Sequence, residues 1–135
     1  MTRYLLDTNT ASYVIRDNPP KARERLAKTP LHLVCISAIT EAELRFGAAS
    51  KPEATALSRR IGEFLDGIEI IPWDSPAAAD YAELRARCQK DGTPLKALDM
   101  LIAAHAISLG ATLVTSDQAF YQLRPGKLRL INWTK

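Results

Sequence analysis

KALDMLIAAHAISLGATLVTSD, residues 96–117, holds a helix, a stop and a strand in one run. Leu98, Leu101, Ile102, His105, Ala106 and Leu109 recur with a period near 3.6, which predicts a helix from about Lys96 to Leu109. Gly110 is its stop, because glycine enters the left-handed conformation that ends helices at no steric cost. Ala111–Thr115 is then a short apolar strand without hydrophobic–polar alternation. Such a strand is covered on both faces, and a preceding helix is how a chain returns to lay down a parallel neighbour.

The same unit recurs outward from this stretch. Arg3–Leu6 reads as a buried strand ending at Asp7, and Asp7-Thr8-Asn9-Thr10 offers oxygens to cap a helix over Ala11–Arg16. Asn18-Pro19-Pro20 breaks the chain, and Lys21–Lys28 is a charged helix. Leu31–Ile36 is a second strand, and Ser37 caps a helix to about Ala49. Pro52 opens a helix running to Leu65, Gly67 closes it, and Ile68–Ile71 is a third strand. Ser75-Pro76 starts a helix that carries Tyr81, Leu84 and Cys88 and stops before Gly92. Asp117–Leu123 is a short turn or helix, and Leu128–Ile131 a last strand. The alternation predicts one domain over residues 1–135, a three-layer α/β/α sandwich around a mainly parallel sheet of about five strands.

Composition narrows the function classes. Apolar residues are 47% and charged residues 24% of 135, the balance of a folded chain rather than a disordered one. The net charge of +3 permits a nucleic-acid partner without demanding one. Residues 1–67 carry 10 basic and 8 acidic side chains and residues 68–135 carry 8 and 7, so any basic patch must be assembled by folding. Cys35 and Cys88 lack metal-ligand spacing and read as buried free thiols in a reducing compartment. No signal peptide opens the chain and no run is long enough to span a membrane, so a cytoplasmic protein without membrane contact is expected.

In open α/β sheets chemistry gathers beyond the carboxyl ends of the strands. Asp7 follows the first strand and Ser116-Asp117 the fourth. On a wheel with Leu98 at zero, Leu109 lies near 20°, Ile102 near 40°, Ala106 near 80° and Asp99 near 100°, at the margin of the apolar face. Glu41 and Glu43 are about 200° apart on their helix. Glu43 goes with Ser37, Thr40, Leu44 and Gly47 and faces the cleft, which leaves Glu41 as a surface charge. Four carboxylates in one cleft repel one another unless protonated or neutralised by cations. Oxygen ligands suit Mg²⁺ or Mn²⁺, which activate water and stabilise a phosphodiester in flight. His32 and His105 form no catalytic pair and read as structural.

The ordered motifs carry a resemblance. Tyr4-Leu5-Leu6-Asp7-Thr8-Asn9, then Ser37–Leu44 with Gly47, then Gly92-Thr93-Pro94-Leu95 with Asp99 and Ile102–Ala106, then Val114–Asp117 with Phe120, together resemble the PIN-domain proteins of the VapC toxin family. That resemblance implies a PIN-like fold and a metal-dependent endoribonuclease serving as the toxin of a bacterial toxin–antitoxin pair. It implies Asp7, Glu43, Asp99 and Asp117 as catalytic and metal ligands for Mg²⁺ or Mn²⁺, with Thr8 and Ser116 as supporting hydroxyls. Its implied partners are an RNA substrate, with transfer RNA a frequent target in the family, a cognate protein antitoxin and a second copy in a homodimer. The antitoxin's C-terminal segment would lie along the toxin and send a basic side chain into the acidic cleft.

Two positions depart from the family pattern. Lys96 stands where many relatives carry glycine, and it either touches RNA or is solvated. Asp117 stands where close relatives often carry asparagine. Arg16, Lys21, Arg23, Arg25, Arg45 and Lys96 are the candidate guides for a phosphate backbone. The rival readings are an aspartyl phosphatase or phosphotransferase and a PIN-like binding module without catalysis. The first wants a second Asp where Asn9 stands, or an Asp after the third strand where Pro72-Trp73 stands. The second leaves the full acid set without a purpose.

Overall fold

The computed structural model describes residues 2–123 and 126–135. The elements run β1 (Tyr4–Leu6), α1 (Thr8–Arg16), α2 (Pro20–Ala27), β2 (Val34–Ser37), α3 (Ala38–Ala49), α4 (Thr55–Gly67), β3 (Glu69–Ile71), α5 (Ser75–Asp91), α6 (Ala97–Leu109), β4 (Thr112–Val114), α7 (Gln118–Tyr121) and β5 (Arg129–Ile131). The five strands form one sheet in the order β3-β2-β1-β4-β5, and every neighbouring pair is parallel. The expected sandwich and its parallel sheet are therefore present.

Alternation along each central strand builds two cores. Leu5, Cys35 and Leu113 point to one face and join Leu84, Cys88, Met100 and Ile102 from α5 and α6. Leu6, Ile36 and Val114 point to the other and join Ala11, Ile15, Leu44, Ile61 and Leu65 from α1, α3 and α4. Successive strand residues face opposite ways, so two apolar neighbours mean two covered faces. Each such aliphatic side chain contributes about 1.5–3 kcal/mol on burial. Both cysteines are free and buried, and burial pushes the Cys35 thiol up to about 11.

Several boundaries differ from the sequence reading, each for a local reason. α1 begins at Thr8, because Asp7 alone is its cap. Leu31–Leu33 is a 3-10 turn after Pro30 and β2 starts only at Val34. α4 begins at Thr55 rather than Pro52. Asp74, not Ser75, caps α5, its Oδ1 accepting from the Ala77 amide at 3.2 Å, with Pro76 inside the first turn. Leu98 is 44% exposed although the wheel put it on the apolar face. Met100 and residues 102–106 are all buried, so α6 is covered nearly all round and a wheel has no true zero. Gly110 at φ 64° ends α6 as expected.

Candidate active site

Parallel register sets a row of polar residues at the sheet's carboxyl edge. Leu6 lies opposite both Ile36 and Val114. One residue further, Ser37, Asp7 and Thr115 stand abreast, and all three are buried. The chain runs from β1 to β2 and β3 on one side, then returns to β4 on the other. That reversal opens a crevice beyond β1 and β4.

Asp7 forms the floor of the crevice. Its Oδ1 accepts from the Thr10 amide at 2.8 Å, and its own amide donates to the Val114 carbonyl at 3.0 Å. It is 3% exposed. Burial pushes its carboxyl above the ordinary value; hydrogen bonds with Thr115 and Thr10 oppose the rise, and the charge of Asp117 adds to it. A carboxylate that also caps a helix cannot turn away from this strained electrostatic position.

Glu43 enters from α3. The Thr8 hydroxyl donates to Glu43 Oε1 at 2.6 Å and lies 3.3 Å from the Thr40 hydroxyl. Thr8 has one proton to give, so the shorter contact takes it and Thr40 becomes the donor in the longer one. The start of α3 is fixed by Ser37, whose Oγ accepts from the Ile39 amide at 3.1 Å and lies 2.8 Å from His105 Nδ1. His105 is fully buried and burial lowers its pKa, against Asp74 and the Pro72 carbonyl, which favour the charged ring. A neutral ring shares a hydrogen bond with Ser37 Oγ at Nδ1, its direction set by the tautomer. Among the described residues its Nε2 completes no hydrogen bond. His105 is thus structural, as its place on α6 predicted.

Asp99 and Asp117 close the ring. Asp99 lies in the first turn of α6, where a helix normally favours an ionised carboxylate. Even so its carboxyl is pushed up to about 6, first by burial and then by the charges of Asp117, Asp7 and Glu43, against the pull of Lys96. One group therefore feels all three of the other acids. Asp117 caps α7, with Oδ1 accepting from the Ala119 amide at 2.9 Å and its own amide donating to Thr115 Oγ1 at 3.1 Å. Among the described residues, no group of three or more His, Cys, Asp or Glu side chains is set to hold one metal ion as they stand. The acids converge electrostatically without forming a closed cage.

Residues 4–124 match the family model described as "PIN domain". The chain is 32% identical over 133 residues to the tRNA(fMet)-specific endonuclease VapC of Salmonella typhimurium, covering 98% of this chain and 99% of that one. It is 35% identical over 135 residues to Ribonuclease VapC2 of Rickettsia felis, covering 98% of each. The chain belongs to the VapC family of PIN-domain proteins. The family resemblance extends to three dimensions: the solved VapBC2 of Rickettsia felis, bound to a DNA fragment from its promoter, superposes with a TM-score of 0.85 at 33% identity, covering 98% of this chain and 99% of that one.

Within this VapC-family scaffold the structure redistributes some expected roles. Thr115, which the sequence reading did not single out, adds a hydroxyl that reaches Asp7, because residue 115 continues the register beside it. Tyr121 was missed by the sequence reading. Its hydroxyl donates to the Thr115 carbonyl at 3.0 Å, and burial followed by the charge of Asp7 raises its phenol. Its spacing of four from Asp117, one helical turn, was the available signal. Arg23 is engaged by α1: its guanidinium donates to the Val14 carbonyl at 2.9 and 3.1 Å and to that of Ile15 at 3.3 Å. Arg25 donates to the Lys135 carbonyl. Arg45 pairs with Glu41 at 2.9 Å, which keeps Glu41 out of the crevice. Arg16 borders a groove of about 310 Å³ that also includes Thr8, Glu43 and Lys51. Among the described residues no helix is long and apolar enough to cross a membrane.

Proposed function

We propose that this chain is a divalent-metal-dependent endoribonuclease, the toxin of a toxin–antitoxin pair, that hydrolyses RNA phosphodiester bonds in the cytoplasm. The observation that carries the reading is the gathering of acids at one edge of the parallel sheet: buried Asp7 beyond β1, Asp117 beyond β4, Glu43 held by Thr8 from α1, and Asp99, whose carboxyl is raised by burial and then by the charges of the other three. Such a site is incomplete without positive charge. Relatives named as a tRNA(fMet)-specific endonuclease and as a ribonuclease supply the substrate class, RNA, with transfer RNA the first to try. The solved VapBC2 and VapBC assemblies supply the expected partner, a cognate antitoxin. A homodimer is part of the same proposal.

The donor set is oxygen only, which suits Mg²⁺ or Mn²⁺. An ion such as Mg²⁺ takes one or two carboxylates and keeps several waters, so it does not require the closed cage that these acids lack. Asp7 and Asp99 would hold it, with Glu43 and Asp117 adding charge and outer hydrogen bonds. When bound, the ion supplies Lewis-acid stabilisation of the phosphate and a more acidic water. The protein's own part is orientation. Thr10 and Thr115 fix Asp7, Thr8 fixes Glu43, and the α7 amide fixes Asp117. Lys96, at the start of α6 and close enough to act on Asp99, can meet a phosphate entering the crevice.

The test is cleavage of bulk transfer RNA and of a mixed-sequence oligoribonucleotide by purified protein. Cleavage should require Mg²⁺ or Mn²⁺, stop with a chelator and fall by more than about a hundredfold in Asp7→Asn, beyond the loss usual for an outer-shell partner. Equal cleavage by Asp7→Asn would assign the activity to a contaminant. Co-expression of a small reading frame adjacent to the gene should relieve toxicity; growth arrest that persists with that product folded would remove the toxin–antitoxin part.

A further inference from the structure

Three acid-bearing elements meet at one side chain, Ser37. Its place in the register sets it abreast of Asp7 beyond β1. Its Oγ caps α3, which carries Thr40 and Glu43, by accepting from the Ile39 amide at 3.1 Å. The same Oγ lies 2.8 Å from Nδ1 of His105 on α6, the helix that carries Asp99. Ser37 and His105 are both fully buried.

Packing alone does not call for an imidazole at this place. An apolar side chain of like size would bury there at lower cost, since His105 Nε2 completes no hydrogen bond among the described residues. The buried neighbours of His105 along α6 are Ile102, Ala103, Ala104 and Ala106, mostly short side chains. Apolar contact is non-directional, so a face of this kind fixes the depth of a helix better than its tilt. A hydrogen bond of 2.8 Å has a direction and restrains both partners. Among the described residues, two side-chain hydrogen bonds tie α6 to other elements: this one, and Trp73 Nε1 to the Leu101 carbonyl at 2.9 Å. Trp73 leads from β3 into α5, so the His105 bond alone joins α6 to the cap of the helix that bears Glu43.

The restraint reaches the acids from both sides. Asp99 lies six residues before His105, about 9 Å along the helix axis. A tilt of about 6° at His105 therefore swings Asp99 by about 1 Å. Ligand distances in a metal site hold to about 0.2 Å. On the α3 side, the Thr8 hydroxyl lies 3.3 Å from that of buried Thr40 and donates to Glu43 Oε1 at 2.6 Å. Resting on the metal-dependent ribonuclease reading of the crevice, we propose that His105 is a positioning residue: through Ser37 it fixes α6 against α3 and so sets Asp99 at the distance from Asp7 and Glu43 that a divalent ion requires.

The experiment measures Mn²⁺ binding to the full-length chain without RNA, from the spin-resonance signal of the free ion, so that the readout does not depend on cleavage. His105→Leu removes the polar contact, His105→Gln places an amide where Nε2 stood, and His105→Asn places one where Nδ1 stood. His105→Leu and His105→Gln should each weaken Mn²⁺ binding about tenfold, the loss seen when a group that orients ligands is removed. His105→Asn should regain most of the affinity. Leu84→Ala, which removes core packing on α5, should melt at lower temperature and still bind Mn²⁺ as the parent does. In RNA cleavage, the Mg²⁺ concentration giving half the maximal rate should rise in His105→Gln by the factor seen for Mn²⁺, while KM for RNA at saturating metal stays near the parent's. Mn²⁺ affinity in His105→Leu and His105→Gln equal to the parent's would overturn the proposal. So would His105→Asn binding no better than His105→Gln, or Leu84→Ala losing as much affinity as His105→Leu. A parent chain that binds Mn²⁺ no better than Asp7→Asn is a separate result: it removes the metal-dependent reading, and this proposal with it.

Discussion

The two ends of the sheet treat charge in opposite ways. At the amino end Arg3 pairs with Glu69 across β2, each charge meeting its opposite. At the carboxyl end Asp7, Asp99, Asp117 and Glu43 act on one another with the same sign. Opposite charges joined at a surface cancel and do little, since an exposed pair contributes about 0–1 kcal/mol. Like charges held by helix caps and hydroxyls leave a field for something outside the chain to satisfy. The first arrangement serves the fold. The second costs stability, and sets of this kind gather at functional sites.

Changes at each end should therefore differ in kind. Among the residues that support the acids or the fold, the largest effect is expected at Thr115→Val, which removes the hydroxyl beside Asp7 without changing volume much. RNA cleavage should fall about 10–100-fold, measured with the metal titrated in each variant, while the fold persists. Unchanged activity would mean that Asp7 needs no such support. Next comes Ser37→Ala, which deletes the cap of α3 and the partner of His105 Nδ1. It should lower unfolding free energy by about 1–3 kcal/mol in denaturant titration, the cost of a lost cap plus a stranded buried polar group.

A pH experiment sharpens the contrast. Asp99 binds protons more tightly folded than unfolded, with a folded value of about 6 against an ordinary 3.8. Its contribution to stability is thus full below 3.8 and is lost as pH rises through about 6. Thermal melts without divalent ions should show stability falling across that window, less so in Asp99→Asn, and Mg²⁺ should restore it at the upper end. A melt curve identical in Asp99→Asn would show that the acids do not crowd. The smallest effect is expected at the amino end: Arg3→Gln should change stability by less than about 1 kcal/mol and leave RNA cleavage as it was.

The site's acids were legible because each sits where a short pattern ends. Asp7 and Asp117 follow apolar strands, and Asp99 and Glu43 fall on helix faces that spacing can place. Other features were not legible from neighbours in sequence. Ser75 and Asp74 are both good caps, and only the entry angle of α5 chose between them. Leu98 looked like core because α6 is apolar on every side, and only the edge of the packed layer shows that its first turn projects beyond cover. Thr115 was not singled out in the sequence, and only the strand register shows that its hydroxyl stands beside Asp7.

The amino-acid order alone determined the α/β alternation, the double-faced burial of the strands and the four acids with their ordered motifs. These are consequences of local periodicity and of residue chemistry, which need no partner to be read. Folding alone decided that Leu6 aligns with Ile36 and Val114, that Thr8 meets Glu43 across 35 residues, and that burial and then the charges of three distant carboxylates hold the Asp99 carboxyl above its ordinary value. Those facts depend on register and on the closeness of separate helices, and electrostatic coupling falls with distance in space whatever the separation along the chain.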